Sequence, residues 1–392
     1  MSENPAGLNQ AAMQALGAGD FATAQALLQR LVTADPTSIP GWLNLAAVRR
    51  RLNDANGAFE ALREVLRRDA RNFPALLMSA TLLERQGDMK AAAAAYGAAL
   101  ANAPPDHYLD KPTLQAVAHG REVHGRHTRE LQEFIRARVG DTQSQCAPVV
   151  QRRLDSFVDM TLRVRKRYQQ EPSDYFYPGL PAIEFYEREE FPWLADLEAA
   201  TVPMQQELAT ILREDQAGFA PYIHYDDHMP LDQWRELNHS PRWSAFHFYE
   251  KGEQVAERCQ RAPATMAVLS RLPQARVPLR SPAALFSVLQ PKTRIPPHTG
   301  VANFRLVVHL PLIVPPGCGF RVGGETRQWR IGEAWVFDDT IEHEAWNDSD
   351  QTRIIFICDV WNPRLSPDER AVIGEIIAAT DAFNGTQPTS SV

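Results

Sequence analysis

Four side chains in the last quarter of the chain have the types and spacing that chemistry requires. His298 and His343 stand beside turn signals at the ends of two strand-like runs, and His309 lies on the run that follows His298. Arg353 comes ten residues after His343, across the turn Asn347-Asp348-Ser349-Asp350. Imidazoles from separate strands make a site for Fe(II) or another divalent metal ion. Arginine offers a planar fork of donors that holds a carboxylate through two bonds. Metal-binding histidines beside a carboxylate-binding arginine suggest an oxygenase that uses 2-oxoglutarate.

These residues need rigid elements to aim them. After Ser281, short runs rich in Val, Ile, Phe and Trp alternate with Pro, Gly and Asp. That texture predicts strands at 284–289, 303–313, 319–322, 325–330, 334–338, 342–346 and 352–360, in a sandwich or barrel. Side chains alternate across a strand, so Arg305, Val307 and His309 share one face. Arg353, Ile355, Ile357 and Asp359 share another by the same parity. Polar groups on the inward face of an apolar barrel are expected to be functional, because burying one alone costs a few kcal/mol. Asp338 and Asp339 precede His343 and either orient its ring or form a turn. The sequence also holds His224-Tyr225-Asp226, a His-x-Asp pattern. It lies outside the strand-rich half, with no second histidine followed by arginine, and reads as a loop at the mouth of the site.

The first third repeats at an offset of 34 residues: Asp20, Asp54 and Asp88 align, as do Ala12, Ala46 and Ala80, and Ala24, Ala58 and Ala92. Leu8, Trp42 and Leu76, then Leu28, Leu62 and Tyr96, keep the same register. Small residues at these points let paired helices approach, and the period resembles that of tetratricopeptide repeats. Stacked as a solenoid, such repeats are expected to hold a polypeptide substrate or partner, or simply to dimerise the chain or brace the next domain. A helix over 114–139 caps them, with His119, His124 and His127 on a solvated face. A second helix, 149–168, leads to a linker at 169–174.

With 392 residues, 44% hydrophobic and 23% charged, the chain can fill large cores without staples. Its net charge of −7 argues against nucleic acid as a partner. The four cysteines form no Cys-x-x-Cys pair, the opening residues lack the pattern of a signal peptide, and no run is long enough to span a membrane. A cytoplasmic location is therefore expected.

Several motifs together resemble the aspartyl/asparaginyl β-hydroxylase family. They are Pro296-Pro297-His298-Thr299-Gly300, Asn303-Phe304-Arg305-Leu306, His309-Leu310, Phe337-Asp338-Asp339, Glu342-His343-Glu344, Trp346, Arg353 and Asp359-Val360-Trp361-Asn362-Pro363. Vertebrate members also carry tetratricopeptide repeats ahead of the oxygenase domain. The resemblance implies a double-stranded β-helix (jelly-roll, cupin-like) with flanking helices behind an all-α repeat solenoid. It implies His298 and His343 as Fe(II) ligands, Arg353 and Ser287 on the distal carboxylate of 2-oxoglutarate, and His309 on the carboxylate nearer the metal. Dioxygen would be consumed, with hydroxylation of a protein or peptide side chain. Arg305 and Asn303 are the candidate substrate contacts. The expected domains are 1–106 (three repeats), 107–172 (cap and linker), 173–384 (oxygenase) and 385–392 (disordered tail).

Two departures matter. Gly300 stands where most such oxygenases have a third, carboxylate ligand; this family lacks it, and so do related halogenases, where chloride fills the gap. Val307 stands where vertebrate members have a second arginine, which weakens the case for an acidic substrate. A small-molecule hydroxylase acting on a free amino acid or acyl chain, and a catalytically dead repeat scaffold, remain the competing readings.

Overall fold

The computed structural model describes residues 4–226, 228 and 230–385. The chain divides into two compact units, Met1–Leu162 and Arg163–Val392.

The first unit is helical: α1 (Pro5–Gly17), α2 (Phe21–Ala34), α3 (Ile39–Arg51), α4 (Ala55–Arg68), α5 (Phe73–Arg85), α6 (Met89–Leu100), α7 (Lys111–Ser144) and α8 (Pro148–Thr161). The repeating aspartates have a local cause. Asp20, Asp54 and Asp88 are the N-caps of α2, α4 and α6, and each accepts a hydrogen bond from a first-turn backbone N–H. Such a cap contributes about 1 kcal/mol per helix. A second set with the same period went unread in the sequence: Asn4, Ser38 and Asn72 cap α1, α3 and α5, each followed by a proline in the first turn. The aligned alanines at 12, 46, 80, 24, 58 and 92 are all buried, at the close approach of paired helices.

The cap is longer than the sequence suggests, and its histidines are not a merely solvated face. His119 bonds Glu84 at 2.8 Å, and His124 Nδ1 donates to the Ala93 carbonyl at 3.1 Å. The His124 ring lies on Gly97, where a Cβ would come within 2.7 Å of it, and Gly120 makes the same allowance for Tyr96. The helix α8 stops at Thr161, short of the expected Tyr168. The expected linker instead docks on the second unit. Gln170 bridges to Ile341, and the Glu171 amide donates to the Thr340 carbonyl at 2.7 Å.

The second unit begins with α9 (Leu194–Ala199) and α10 (Thr201–Glu214). Strands β1 (Ala220–Pro221), β2 (Trp243–His247), β3 (Tyr249–Glu250) and β4 (Glu253–Gln254) precede α11 (Ala256–Gln260) and α12 (Pro263–Leu269). The barrel strands follow: β5 (Ala284–Leu289), β6 (Thr293–His298), β7 (Arg305–Ile313), β8 (Cys318–Val322), β9 (Glu325–Arg327), β10 (Trp335–Phe337), β11 (His343–Asn347) and β12 (Arg353–Trp361). They pair antiparallel as a larger sheet, β1-β2-β5-β12-β7-β10, and a smaller one, β6-β11-β8-β9. This is the double-stranded β-helix. The C-terminal helix α13 (Pro367–Asn384) opens on a Ser366/Glu369 capping box. Residues 386–392 of the expected tail lie outside the described residues.

Strand parity builds two cores. Ala284, Phe286, Val288, Leu306, Val308, Leu310, Ile354 and Phe356 face α9, α10 and α12. Leu289, Val307, Ile355, Phe320 and Phe337 lie in the core between the sheets. Strands β1 to β4 and β6 were absent from the strands expected from the sequence, β6 although His298 was placed at the end of a strand-like run. β6 contains Pro296 and Pro297 and is an edge strand, where proline's missing N–H costs no ladder bond. β2 precedes Ser281, yet it pairs along the whole of β5, with Trp243 opposite Leu289 and Ala245 opposite Ser287.

Candidate functional site

Between the sheets lies a cavity of about 230 Å³ lined by His298, His309, His343, Ser287, Arg305 and Arg353, among others. All the candidate site residues except Asn303 are thus brought together. The β6/β11 register sets His343 directly opposite His298, and their ring centroids are 4.1 Å apart. Nδ1 of His298 donates to the Pro296 carbonyl at 2.8 Å, and Nδ1 of His343 to the Ile341 carbonyl at 3.1 Å. A carbonyl can only accept, so Nδ1 carries the proton in each ring and Nε2 keeps the lone pair that binds metal. Burial holds both rings neutral, His298 pulled down to about 3 and His343 to about 4.

Protons therefore compete poorly for this pair. Two imidazoles of ordinary pKa would lose about a hundredfold in metal affinity between roughly pH 7.5 and 5.5. Here Co(II) affinity, read by calorimetry, is expected to change less than about threefold over that interval. A hundredfold fall would mean that the rings titrate normally.

The blind end of the cavity holds Arg353, 1% exposed and the largest fully buried side chain. Its Nη1 reaches the Ser287 carbonyl and Oγ at 3.4 Å, while its Nε has no partner among the described residues. Burial pulls the guanidinium down to about 10. Ser287 Oγ already accepts from Trp243 Nε1 at 3.2 Å and faces Arg353, so its own proton is available to a ligand. His309 is buried, its Nδ1 lacks a partner among the described residues, and burial and Arg353 push its pKa well down. The Trp329 ring lies 5.0 Å from the Arg353 guanidinium. A buried cation, a free hydroxyl proton and a neutral imidazole form a cradle for a carboxylate.

Asp339 sits on the other flank, where its Oδ2 accepts from Arg305 Nη2 at 3.1 Å. A Cβ built on Gly300 would lie 2.1 Å from that same Oδ2. The space of the absent carboxylate ligand is therefore filled by another carboxylate. Gly300→Asp is expected to destabilise the second unit by about 1–3 kcal/mol through overpacking and to lose activity. Adding Asp339→Gly should restore the melting temperature. If Gly300→Asp alone melts and turns over like the parent, the space is not filled as described.

Of the two roles considered for Asp338 in the sequence, the structure shows the turn. It accepts from the Thr340 amide and hydroxyl and from Gln170, tying the turn that precedes His343. Burial pushes its carboxyl up to about 6. Asn303 is corrected too. Its carboxamide accepts from the Tyr177 amide and donates to the Tyr177 carbonyl and Gln170, and it lies outside the cavity lining. It clamps residues 170–177 to the barrel and is not placed to touch substrate.

The loop around the His-x-Asp pattern contributes Tyr222, Ile223 and Tyr225 to the lining, while His224 and His228 are exposed and outside it. Asp227 lies outside the described residues. Trp234, Trp243, Trp329 and Asp359 also line the cavity and were not read as site residues. Strand parity had placed Asp359 on the face of Arg353, a signal that could have found it.

Residues 199–363 match the family model described as aspartyl/asparaginyl beta-hydroxylase, and residues 6–38 match a tetratricopeptide repeat. The chain is 38% identical over 143 residues to aspartyl/asparaginyl beta-hydroxylase of Homo sapiens, covering 36% of this chain and 18% of that one. It is 30% identical over 214 residues to aspartate beta-hydroxylase domain-containing protein 2 of Xenopus tropicalis, covering 53% and 55%. It is also 30% identical over 193 residues to ornithine lipid ester-linked acyl 2-hydroxylase of Rhizobium tropici, covering 48% and 63%. The matched stretch spans less than two thirds of each relative.

Proposed function

We propose that the chain, whose residues 199–363 match the aspartyl/asparaginyl beta-hydroxylase family model, is an Fe(II)- and 2-oxoglutarate-dependent hydroxylase. The observation that carries this is a neutral histidine pair and a buried arginine whose Nε has no hydrogen-bond partner among the described residues, lining one cavity. The donor set fits iron. Among the described residues no three His, Cys, Asp or Glu side chains gather as a metal set. His298 and His343 would hold the ion, leaving positions for a chelating cosubstrate and dioxygen. Two neutral imidazoles leave the sum of Fe(II) and dianionic 2-oxoglutarate at zero. When bound, iron supplies oxygen activation: one oxygen atom enters the substrate C–H bond, the other enters succinate, and carbon dioxide leaves.

The chain's own residues do the rest. Arg353 and Ser287 take the distal carboxylate of 2-oxoglutarate, and His309 lies beside the nearer one. Trp243, Trp329 and Phe320 wall this end with rings that exclude water. Asp339, held by Arg305, occupies the flank beside Gly300 and keeps that side of the histidine pair polar.

Anaerobic titration with Fe(II) and 2-oxoglutarate tests the reading. A weak visible charge-transfer band should form, then decay in oxygen with succinate produced. Iron binding without the band removes the cosubstrate assignment; no iron binding by folded protein favours the inactive scaffold.

The substrate we favour is a polypeptide side chain, with the repeats gripping the polypeptide in a cytoplasmic setting. The Rhizobium relative's name keeps a lipid-linked acyl chain as the second reading. Removing residues 1–162 is expected to spare uncoupled 2-oxoglutarate consumption and impair turnover of a peptide. Undiminished peptide turnover would assign the repeats to assembly.

A further inference from the structure

Asp359 is a buried carboxylate that the reaction as derived does not use. It is 2% exposed, lies on β12 and lines the cavity. Its Oδ1 accepts from the Ala283 amide at 2.9 Å, whereas its Oδ2 has no hydrogen-bond partner among the described residues. The β12/β7 register puts Val307 opposite it, and valine offers neither donor nor charge. Arg305, the nearby cation, gives Nη2 to Asp339 and attracts Asp359 through its charge, but its Nε makes no hydrogen bond among the described residues and none reaches Asp359 Oδ2. A buried acceptor atom without a donor costs about 1–3 kcal/mol, and more when the group is charged. Burial accordingly pushes the Asp359 carboxyl up to about 7.

We propose that Asp359 is the specificity-determining residue for substrate and receives an N–H donor from it, an ammonium or amide nitrogen. The inference rests on the reading of this cavity as the oxygenase active site. Asp339 and Asp359 face one guanidinium, so the wall is negative when both are ionised and disfavours a carboxylate substrate. Ile223, Leu285, Val301 and Ile357 complete this part of the lining and suit the carbon chain beside the donor.

The test uses the full chain loaded with Mn(II) and saturating 2-oxoglutarate near pH 8, so that Arg353 is occupied. Butylamine, butanamide and butyrate are compared by ligand-detected NMR. The amine and the amide should bind at least about tenfold more tightly than butyrate, since a charged acceptor strengthens a hydrogen bond about twofold in energy. Asp359→Asn keeps an oxygen for the Ala283 amide, and should weaken butylamine about tenfold with an unchanged melting temperature. Val307→Arg sets a guanidinium opposite Asp359 and should abolish the preference for the amine without removing the carboxylate. Equal binding of butyrate, or butylamine binding indifferent to Asp359→Asn, overturns the proposal. Binding of 2-oxoglutarate is read first: its absence defeats the oxygenase reading, while the amine comparison with Asp359→Asn still decides the role of Asp359.

Discussion

Replacing Arg353 by alanine is expected to raise the 2-oxoglutarate requirement by roughly two to three orders of magnitude, since truncating one partner of a buried charged pair costs about 2–5 kcal/mol. The measurement is succinate formation against cosubstrate concentration. Arg353 has no carboxylate partner among the described residues; its hydrogen-bond contacts there are the two long ones to Ser287. Burial pulls its guanidinium down to about 10. A charge buried without a carboxylate partner among the described residues is a cost to the cosubstrate-free protein. Arg353→Met should therefore melt no lower than the parent without 2-oxoglutarate, and lose the stabilisation that added 2-oxoglutarate confers. If Arg353→Met melts well below the parent while still binding 2-oxoglutarate, Arg353 is a structural residue and another group holds the cosubstrate.

His343→Ala is expected to bring iron-dependent turnover down to background. With two protein donors in the site, loss of either leaves a single imidazole, too few to fix an ion. The fold should survive, because the β11 ladder runs through backbone atoms. Circular dichroism melting and Co(II) binding separate the outcomes. A folded variant with no metal binding supports the assignment, and a folded variant with full turnover removes His343 from it. Substituting His309 makes the contrast: its ring lines the cavity near Arg353 with Nδ1 unpartnered among the described residues, so His309→Ala should raise the 2-oxoglutarate requirement yet leave Co(II) affinity within about threefold of the parent.

Much of this site was legible before folding. The inward face of β7 follows from alternation alone, as does that of β12, because a strand's side-chain period is two. The repeat unit was legible for a similar reason: N-cap aspartates and close-packed alanines recur wherever the same local geometry recurs. The missed elements share another cause. β2 and β6 are strands by virtue of their neighbours. Trp243–His247 gains its ladder from β5, and the prolines of Thr293–His298 are tolerated at a sheet edge. Asn303 carried a motif signal, and only packing revealed that its amide is fully used by Tyr177 and Gln170.

By itself the sequence determined the helical repeats, the barrel strands after Ser281 other than β6, and that His309 shares a face with Arg305. Those properties come from local periodicity and capping, which a chain carries wherever it folds. Tertiary structure decided what each polar atom meets. It filled the gap beside Gly300 with the carboxylate of Asp339, and it left Arg353 Nε and Asp359 Oδ2 without partners among the described residues. Those facts depend on side chains far apart in the chain, such as Ser287 and Arg353 at a separation of 66 residues, meeting across one cavity. No local pattern encodes such a meeting, because the cost of burying a charge is set by whatever surrounds it.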